Sequence, residues 1–427
     1  MKARTRNWAI FWIVVVLAAA GAVVVLSGVL DPRYESAQVD EPGASSQQVL
    51  ARGEYLARAG DCTACHTSRD GAPFAGGVPI ETPFGTIYGT NITPDKQHGI
   101  GRWTSADFYR ALHDGIAPGH PLYPAMPYTT YRGMTREDSD AIFAYLQSLR
   151  PAAVADKPPE VPFPFNLRFL MRGWNLLFLT DTLPDASQGD SAEWTRGRYL
   201  TNALGHCTEC HTPRGALGQL KLDDTFQGGE LGVLNSPDIT PRGLAARGWS
   251  TPDLQRFLAL GIAAQGSAYG DMFDAFHHST RYLNEADNKA MVRYLAGDAP
   301  LEPAPLPAEP QGRGEEVGAG RSLYLAMCAG CHAAGGEGKP NVTVALKGNS
   351  TLRNTDAHNL IHVILAGVGA KAFPGNQGRQ AMPGFAHNLD DREVAELANY
   401  LRLRWGGQKA DVQPGDVAAR RGRDEPG

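Results

Sequence analysis

The chain has 427 residues, a length that suggests two to four domains. Its composition is that of a folded protein, 42% hydrophobic and 20% charged, and its net charge of -5 comes without a long basic run, so nothing points to nucleic acid. A Gly-rich nucleotide fingerprint, a P-loop and a G-x-S-x-G elbow are all missing from it.

The chain begins apolar. Lys2, Arg4 and Arg6 flank a run from Trp8 to Leu30 that contains no charged residue. That run exceeds the roughly 20 residues needed to span a bilayer. A cleavable signal would have an apolar core of about 7–15 residues and a small-residue cleavage site. Here the run is longer and no clear A-x-A precedes Asp31, so residues 1–31 are expected to be a retained transmembrane helix rather than a removed signal. Either way the basic flank stays inside and the rest is exported.

Three segments then repeat one pattern. Their openings read GEYLARAGDCTACHT from Gly53, GRYLTNALGHCTECHT from Gly197 and GRSLYLAMCAGCHA from Gly320. Their closings read MTREDSDAIFAYLQSL from Met134, YLNEADNKAMVRYLAG from Tyr282 and NLDDREVAELANYLRL from Asn388. Apolar residues recur there at three and four, as in Ile142, Tyr145, Leu146 and Leu149, which predicts amphipathic helices. Thr135 with Asp138, and Asn388 with Asp391, resemble helix-start signals. Repetition at this scale predicts three copies of one domain, over 49–157, 191–299 and 317–405.

Between the copies lie a connector, 158–190, and a Pro-rich linker, 300–316, expected to be extended and exposed. Residues 151–164 are also Pro-rich. The connector holds FNLRFLMRGWNLLFLT from Phe165, either a helix packed between domains or a docking surface for a partner or a membrane. The tail, 406–427, is charged and expected to be disordered.

The six cysteines form three C-x-x-C-H motifs: Cys62, Cys65 and His66; Cys207, Cys210 and His211; Cys328, Cys331 and His332. Cysteines three apart on a helical turn share one face and can reach both vinyl groups of a haem. The following histidine turns its imidazole to the iron, and this is the attachment signature of c-type haem. Zinc ribbons need two C-x-x-C pairs about 15–20 residues apart, and neither a thioredoxin-like pair nor a disulfide needs the histidine. The expected fold is therefore all-α: three tandem cytochrome c-type haem domains behind an N-terminal transmembrane helix.

An electron carrier closes the sixth iron position, often with methionine. Met126, Met272 and Met382 lie 60, 61 and 50 residues after His66, His211 and His332, each before a closing helix and in loop-like sequence. Met-Pro flanks Met126 and Met382; Met272 lacks it and has His277 and His278 as rivals. Met134, Met291 and Met327 read as packing residues. Trp103 and Trp249, each just before a helix start, suit either packing beside a haem or a structural role.

With GTIYGTNITPD from Gly85, PLYPAMPY from Pro121, PFPFNLR from Pro162 and GHCTECHTPRG from Gly205, residues 49–405 resemble the cytochrome c subunits of membrane-bound bacterial alcohol, gluconate and aldehyde dehydrogenases. The resemblance implies a separate large subunit, a quinoprotein or flavoprotein, that oxidises an alcohol, sugar or aldehyde. It implies electrons passing through three covalent haem c groups to ubiquinone or another respiratory acceptor, at the periplasmic face of the inner membrane. It pairs His66 with Met126, His211 with Met272 and His332 with Met382. No catalysis is expected from this chain alone. The alternatives are a cytochrome c subunit of a molybdenum hydroxylase or terminal oxidase, and a haem peroxidase, which needs an open iron position.

Overall fold

The computed structural model describes residues 2–36, 44–185, 191–306 and 315–421. They fall into two compact units, Met1–Pro184 with Asn202–Leu204, and Asp185–Thr201 with Gly205–Gly427. The first unit holds one C-x-x-C-H motif and the second holds two.

In the first unit α1 (Lys2–Ser27) leads to α2 (Ala44–Ala59), α3 (Cys62–His66) and a hairpin of β1 (Pro79–Thr82) and β2 (Gly85–Tyr88). Then come α4 (Ser105–Asp114), a short pair β3 (Ile116–Ala117) and β4 (His120–Pro121), α5 (Tyr128–Tyr131), α6 (Arg136–Ser148) and α7 (Leu170–Phe178).

The second unit starts with α8 (Ala192–Tyr199), whose last turn widens over Leu200–Leu204, and α9 (Cys207–His211). It continues with β5 (Gly229–Glu230) and β6 (Asn235–Ser236), α10 (Pro241–Ala246), α11 (Thr251–Leu260), β7 (Ile262–Ala263) and β8 (Gly266–Ser267), α12 (Asp271–His278) and α13 (Glu285–Ala296). Its last part has α14 (Glu315–Leu323), α15 (Ala329–His332), α16 (His358–Ala366), β9 (Lys371–Phe373) and β10 (Gln377–Arg379), α17 (Asp391–Leu401) and α18 (Pro414–Arg421). The fold is mainly helical, but among the described residues five two-stranded antiparallel sheets amend the all-α expectation. Each is a reversal of a few residues, too short to leave an alternating pattern in the sequence.

One contact organises each repeat. The opening helix crosses the closing helix at Gly53, Gly197 and Gly320. A Cβ at these glycines would stand 2.0 Å from the Ala141 carbonyl oxygen, 1.9 Å from that of Ala290 and 2.2 Å from that of Glu396. Tyr145, Tyr294 and Tyr400 lie against the same three glycines. Only a residue without a side chain lets the backbones approach this closely. Around the crossings Leu56 and Ile142 are buried in the first copy, Met291 and Leu295 in the second, and Tyr324 and Leu397 in the third. Met134 is buried as well, and Met327 packs on the third core.

Within the second unit the second and third segments share a core. Phe273 and Phe276 of α12 pack on Phe373 of β9, together with Ile262 and Ala268. Polar groups close the rest. Trp249 Nε1 and Arg247 Nη1 both donate to Ser350 Oγ, at 3.1 and 2.8 Å. Trp249 thus has a structural place in this seam, packed edge-on against Phe257.

Several expectations are corrected. Residues 151–164 are no free linker: Val161 is buried, Glu160 bridges Thr86, and Ala152 N–H donates to Thr93 Oγ1. Of the 300–316 linker, residues 307–314 lie outside the described residues. Its first part is held, with Leu301 buried and the Ala304 amide on the Ala245 carbonyl. The tail forms α18, which packs Val417 and Val412 into the third core. The third closing helix is capped by Asp390 with Glu393 in a reciprocal box, not by Asn388 with Asp391. Thr135 does cap α6 through the Asp138 amide. The helix in the connector is only Leu170–Phe178 and belongs to the first unit. Among the described residues no helix is long and apolar enough to cross a membrane, where the sequence of Trp8–Leu30 leads one to expect a crossing.

Candidate haem sites

Each motif sits on a single helical turn. Cys62 and Cys65 lie on α3 and Cys207 and Cys210 on α9; Cys328 ends a widened turn and Cys331 follows on α15. None of the six is paired in a disulfide. Burial pushes the Cys62 and Cys210 thiols up to about 12 and those of Cys65 and Cys328 to about 11. Among the described residues no three His, Cys, Asp or Glu side chains converge on a point that could hold a bare metal ion.

The three histidines are oriented identically. Nδ1 of His66 donates to the Thr90 carbonyl at 2.6 Å, Nδ1 of His211 to Pro237 at 2.7 Å and Nδ1 of His332 to Val344 at 3.0 Å. Each bond fixes the tautomer with the proton on Nδ1, leaving the Nε2 lone pair for a metal. Burial lowers the affinity of all three imidazoles for a second proton, that of His211 to about 4. They are therefore neutral, as a ligand must be.

The first two acceptor carbonyls are presented by the same device. Asn91 Oδ1 accepts from the Thr93 amide and hydroxyl at 2.9 and 2.7 Å. Asp238 Oδ1 accepts from the Thr240 amide and hydroxyl at 2.8 and 2.6 Å. The sequence signal is the shared N/D-I-T-P of 91–94 and 238–241, whose role sequence reasoning did not identify. In the same two sites Thr67 and Thr212 hydroxyls receive the amides of Phe74 and Phe226, both with positive φ. Gly89 and Gly229 complete the parallel, since a Cβ there would stand 1.8 Å from the Cys65 carbonyl oxygen and 2.4 Å from that of Cys210.

The methionines fall in three settings. Met126 lies in a tight loop between β4 and α5, its amide on the Tyr123 carbonyl and its carbonyl on the Tyr128 amide. Met382 forms an antiparallel bridge with Val368 through two backbone bonds of 3.0 and 2.8 Å. Met272 is not in a loop but in the first turn of α12. His277 and His278 lie at the other end of that helix, about 140° and 120° around it from Met272 at 100° per residue. His277 stacks on Phe273 and contacts Arg281 Nη1 at 3.2 Å.

Comparison with known proteins gives the family. The model of the family described as cytochrome c matches residues 50–150, and that of cytochrome C oxidase, cbb3-type, subunit III, matches residues 315–401. The chain is 37% identical over 405 residues to the gluconate 2-dehydrogenase cytochrome c subunit of Pantoea cypripedii, covering 88% of this chain and 90% of that one. It is 34% identical over 401 residues to the cytochrome c subunit of the quinone alcohol dehydrogenase of Gluconobacter oxydans, covering 88% and 81%. The chain belongs to this family of dehydrogenase cytochrome c subunits. One subunit of the nicotinate dehydrogenase of Pseudomonas putida is 38% identical over 399 residues, 91% of this chain but 33% of that protein. As a family member the chain is an electron-transfer protein that binds haem c, and the oxidase-type match is confined to its third segment.

Proposed function

We propose that this cytochrome subunit holds three covalent haems. Cys62 and Cys65 attach the first, with His66 and Met126 on its iron; Cys207 and Cys210 the second, with His211 and Met272; Cys328 and Cys331 the third, with His332 and Met382. The observation that supports this is the threefold Nδ1-to-carbonyl bond, which leaves one free imidazole nitrogen beside each thiol pair. Bound haem supplies a one-electron iron couple, raised in potential by a thioether ligand. The carbonyl acceptors hold each ring in place and make Nε2 a better ligand.

The chain takes electrons from a large dehydrogenase subunit, a quinoprotein or flavoprotein acting on an alcohol, sugar or aldehyde. Removing two electrons from such a substrate needs a cofactor of that kind. It delivers them to ubiquinone or another respiratory acceptor, with the haem segments at the periplasmic face of the bacterial inner membrane. The side chains of α1 from Phe11 to Val24 are exposed and almost wholly apolar, which suits a helix lodged in lipid. A pyridine haemochrome assay is expected to give three haems per chain. The purified chain alone is expected to leave alcohols, sugars and aldehydes unoxidised; haem reduction by substrate without a partner would overturn the reading.

A further inference from the structure

We propose that α7 is a second membrane contact, lying in the plane of the lipid surface beside α1; this rests on the reading of α1 as a lipid-lodged helix. The short helix has two faces. One is locked to the first segment: Tyr128 Oη donates to Asn175 Oδ1 at 2.8 Å, and Asn175 Nδ2 donates to the Asp114 carbonyl at 2.9 Å. Trp174 meets Tyr128 edge-on on this side.

The second face meets the end of α1. Arg172 grips Asp31 with two prongs, Nε to Oδ1 at 2.9 Å and Nη2 to Oδ2 at 2.7 Å. Both side chains are largely covered. Gly173 faces Leu26: a Cβ there would stand 3.8 Å from Leu26 Cδ2.

Beyond its contact with α1 this second face is open. Phe169 is 43% exposed and Leu176 and Leu177 are each 70% exposed. Their spacing of seven and eight residues puts them on one side of a helix. Val29 and Leu30, just after α1 and beside Asp31, are also exposed, to 70% and 65%. Isolated exposed leucines need no explanation, but a continuous apolar strip does.

Lipid is the occupant that the surroundings fit. The helix that carries the strip meets the apolar α1 within one compact unit. The Arg172–Asp31 pair marks the level at which that apolar helix gives way to polar chain. Arginine and tryptophan are characteristic of this depth. Arg168, over the Tyr123 ring at 4.9 Å, adds a cation suited to anionic headgroups.

The test uses full-length, haem-loaded protein in phosphatidylethanolamine–phosphatidylglycerol vesicles. Spin labels are placed singly at Leu176→Cys, at Ala18→Cys in α1 and at Glu137→Cys on the exposed side of α6. Collisions with oxygen, which enters lipid, are compared with those of a water-soluble nickel chelate. The expected result is oxygen-dominated relaxation at positions 18 and 176 and chelate-dominated relaxation at 137. Oxygen dominance at 18 with chelate dominance at 176 would overturn the proposal and leave the reading of α1 standing. Chelate dominance at both would remove both. A label at 176 reached by neither reagent would show a protein partner on this face and equally overturn the lipid assignment.

Discussion

The first and second C-x-x-C-H sites are built alike and the third is built differently. In the first two, the cysteine turn is preceded by a residue of positive φ, Asp61 or His206, and the histidine acceptor carbonyl is held by Asn91 or Asp238. An ion pair also clamps opening to closing helix, Arg52 with Asp138 and Arg196 with Asp287. The residue after the third acceptor, Val344, is Ala345, which can cap nothing. There the cysteine turn begins in a widened helix, Ala333 rather than the preceding residue has positive φ, and Tyr324 donates to the Ala333 carbonyl. What all three share is the imidazole bond to a carbonyl and the glycine crossing. Those two features are the requirements of the site, and the loop chemistry is one of several ways to meet them.

The largest effects should come from what is shared. Gly53→Ala, Gly197→Ala and Gly320→Ala each force a Cβ into a facing backbone carbonyl. Each should cost about 3 kcal/mol, seen as a lower denaturation midpoint of the haem-loaded protein. A cost under about 1 kcal/mol at Gly320 alone would show that the third crossing tolerates a looser fit.

Next come the proposed methionine ligands. Met126→Ala, Met272→Ala and Met382→Ala should each lower one potential by on the order of 0.1 V and let one reduced haem bind carbon monoxide. Haem content should stay at three. Unchanged potentials in Met272→Ala would assign the ligand to His277, His278 or another group.

The capping residues should separate the sites. Asn91→Ala orphans the Ala152 and Val154 carbonyls as well as the Thr93 amide. Asp238→Ala orphans the Thr240 amide. Losses of about 2 kcal/mol at Asn91 and ~1 kcal/mol at Asp238 are expected in chemical denaturation. Ala345→Asn should change nothing measurable; a comparable effect there would mean the third loop is capped after all.

The smallest effect is a pH dependence in the first site alone. The Asn91 amide donates to Asp156 Oδ1 at 2.7 Å, and burial raises the Asp156 carboxyl above its ordinary value. A raised folded value means that stability is fully present below about pH 3.8, the unfolded value, and is lost as pH rises through the folded one. Asp156→Asn, which stays neutral, should flatten that decline in denaturation midpoints measured across mildly acid pH. An unaltered slope would place the titration elsewhere.

Much of this was legible because it is written in side chains. The three motifs, the amphipathic closing helices and the glycines that open each repeat stand in the sequence at fixed spacings. The histidine acceptors were not, since a carbonyl has no residue identity; only N/D-I-T-P, repeated twice, hints at them. Met272 is expected in loop-like sequence, yet Gly270, at φ 55°, ends the turn just before it and α12 begins at Asp271. The tail was read as disordered from its charge, but Arg421 pairs with Asp391 and donates to the Leu389 carbonyl while Val417 points inward. Tertiary partners override composition when a few apolar residues are correctly spaced.

The aromatic seam of the second unit has a consequence for how such chains can be reshaped. Phe373 closes on Phe273 and Phe276, and Arg353 reaches back to three carbonyls, those of Ala246, Ala304 and Pro305. The second and third segments therefore form one solid body, and the spacing between their sites is set by packed rings rather than by the length of chain joining them. Lengthening that join leaves the spacing intact, whereas removing the third segment strips the cover from α12. The structural unit here is the pair, and removing both of its segments together disturbs less packing than removing the third alone.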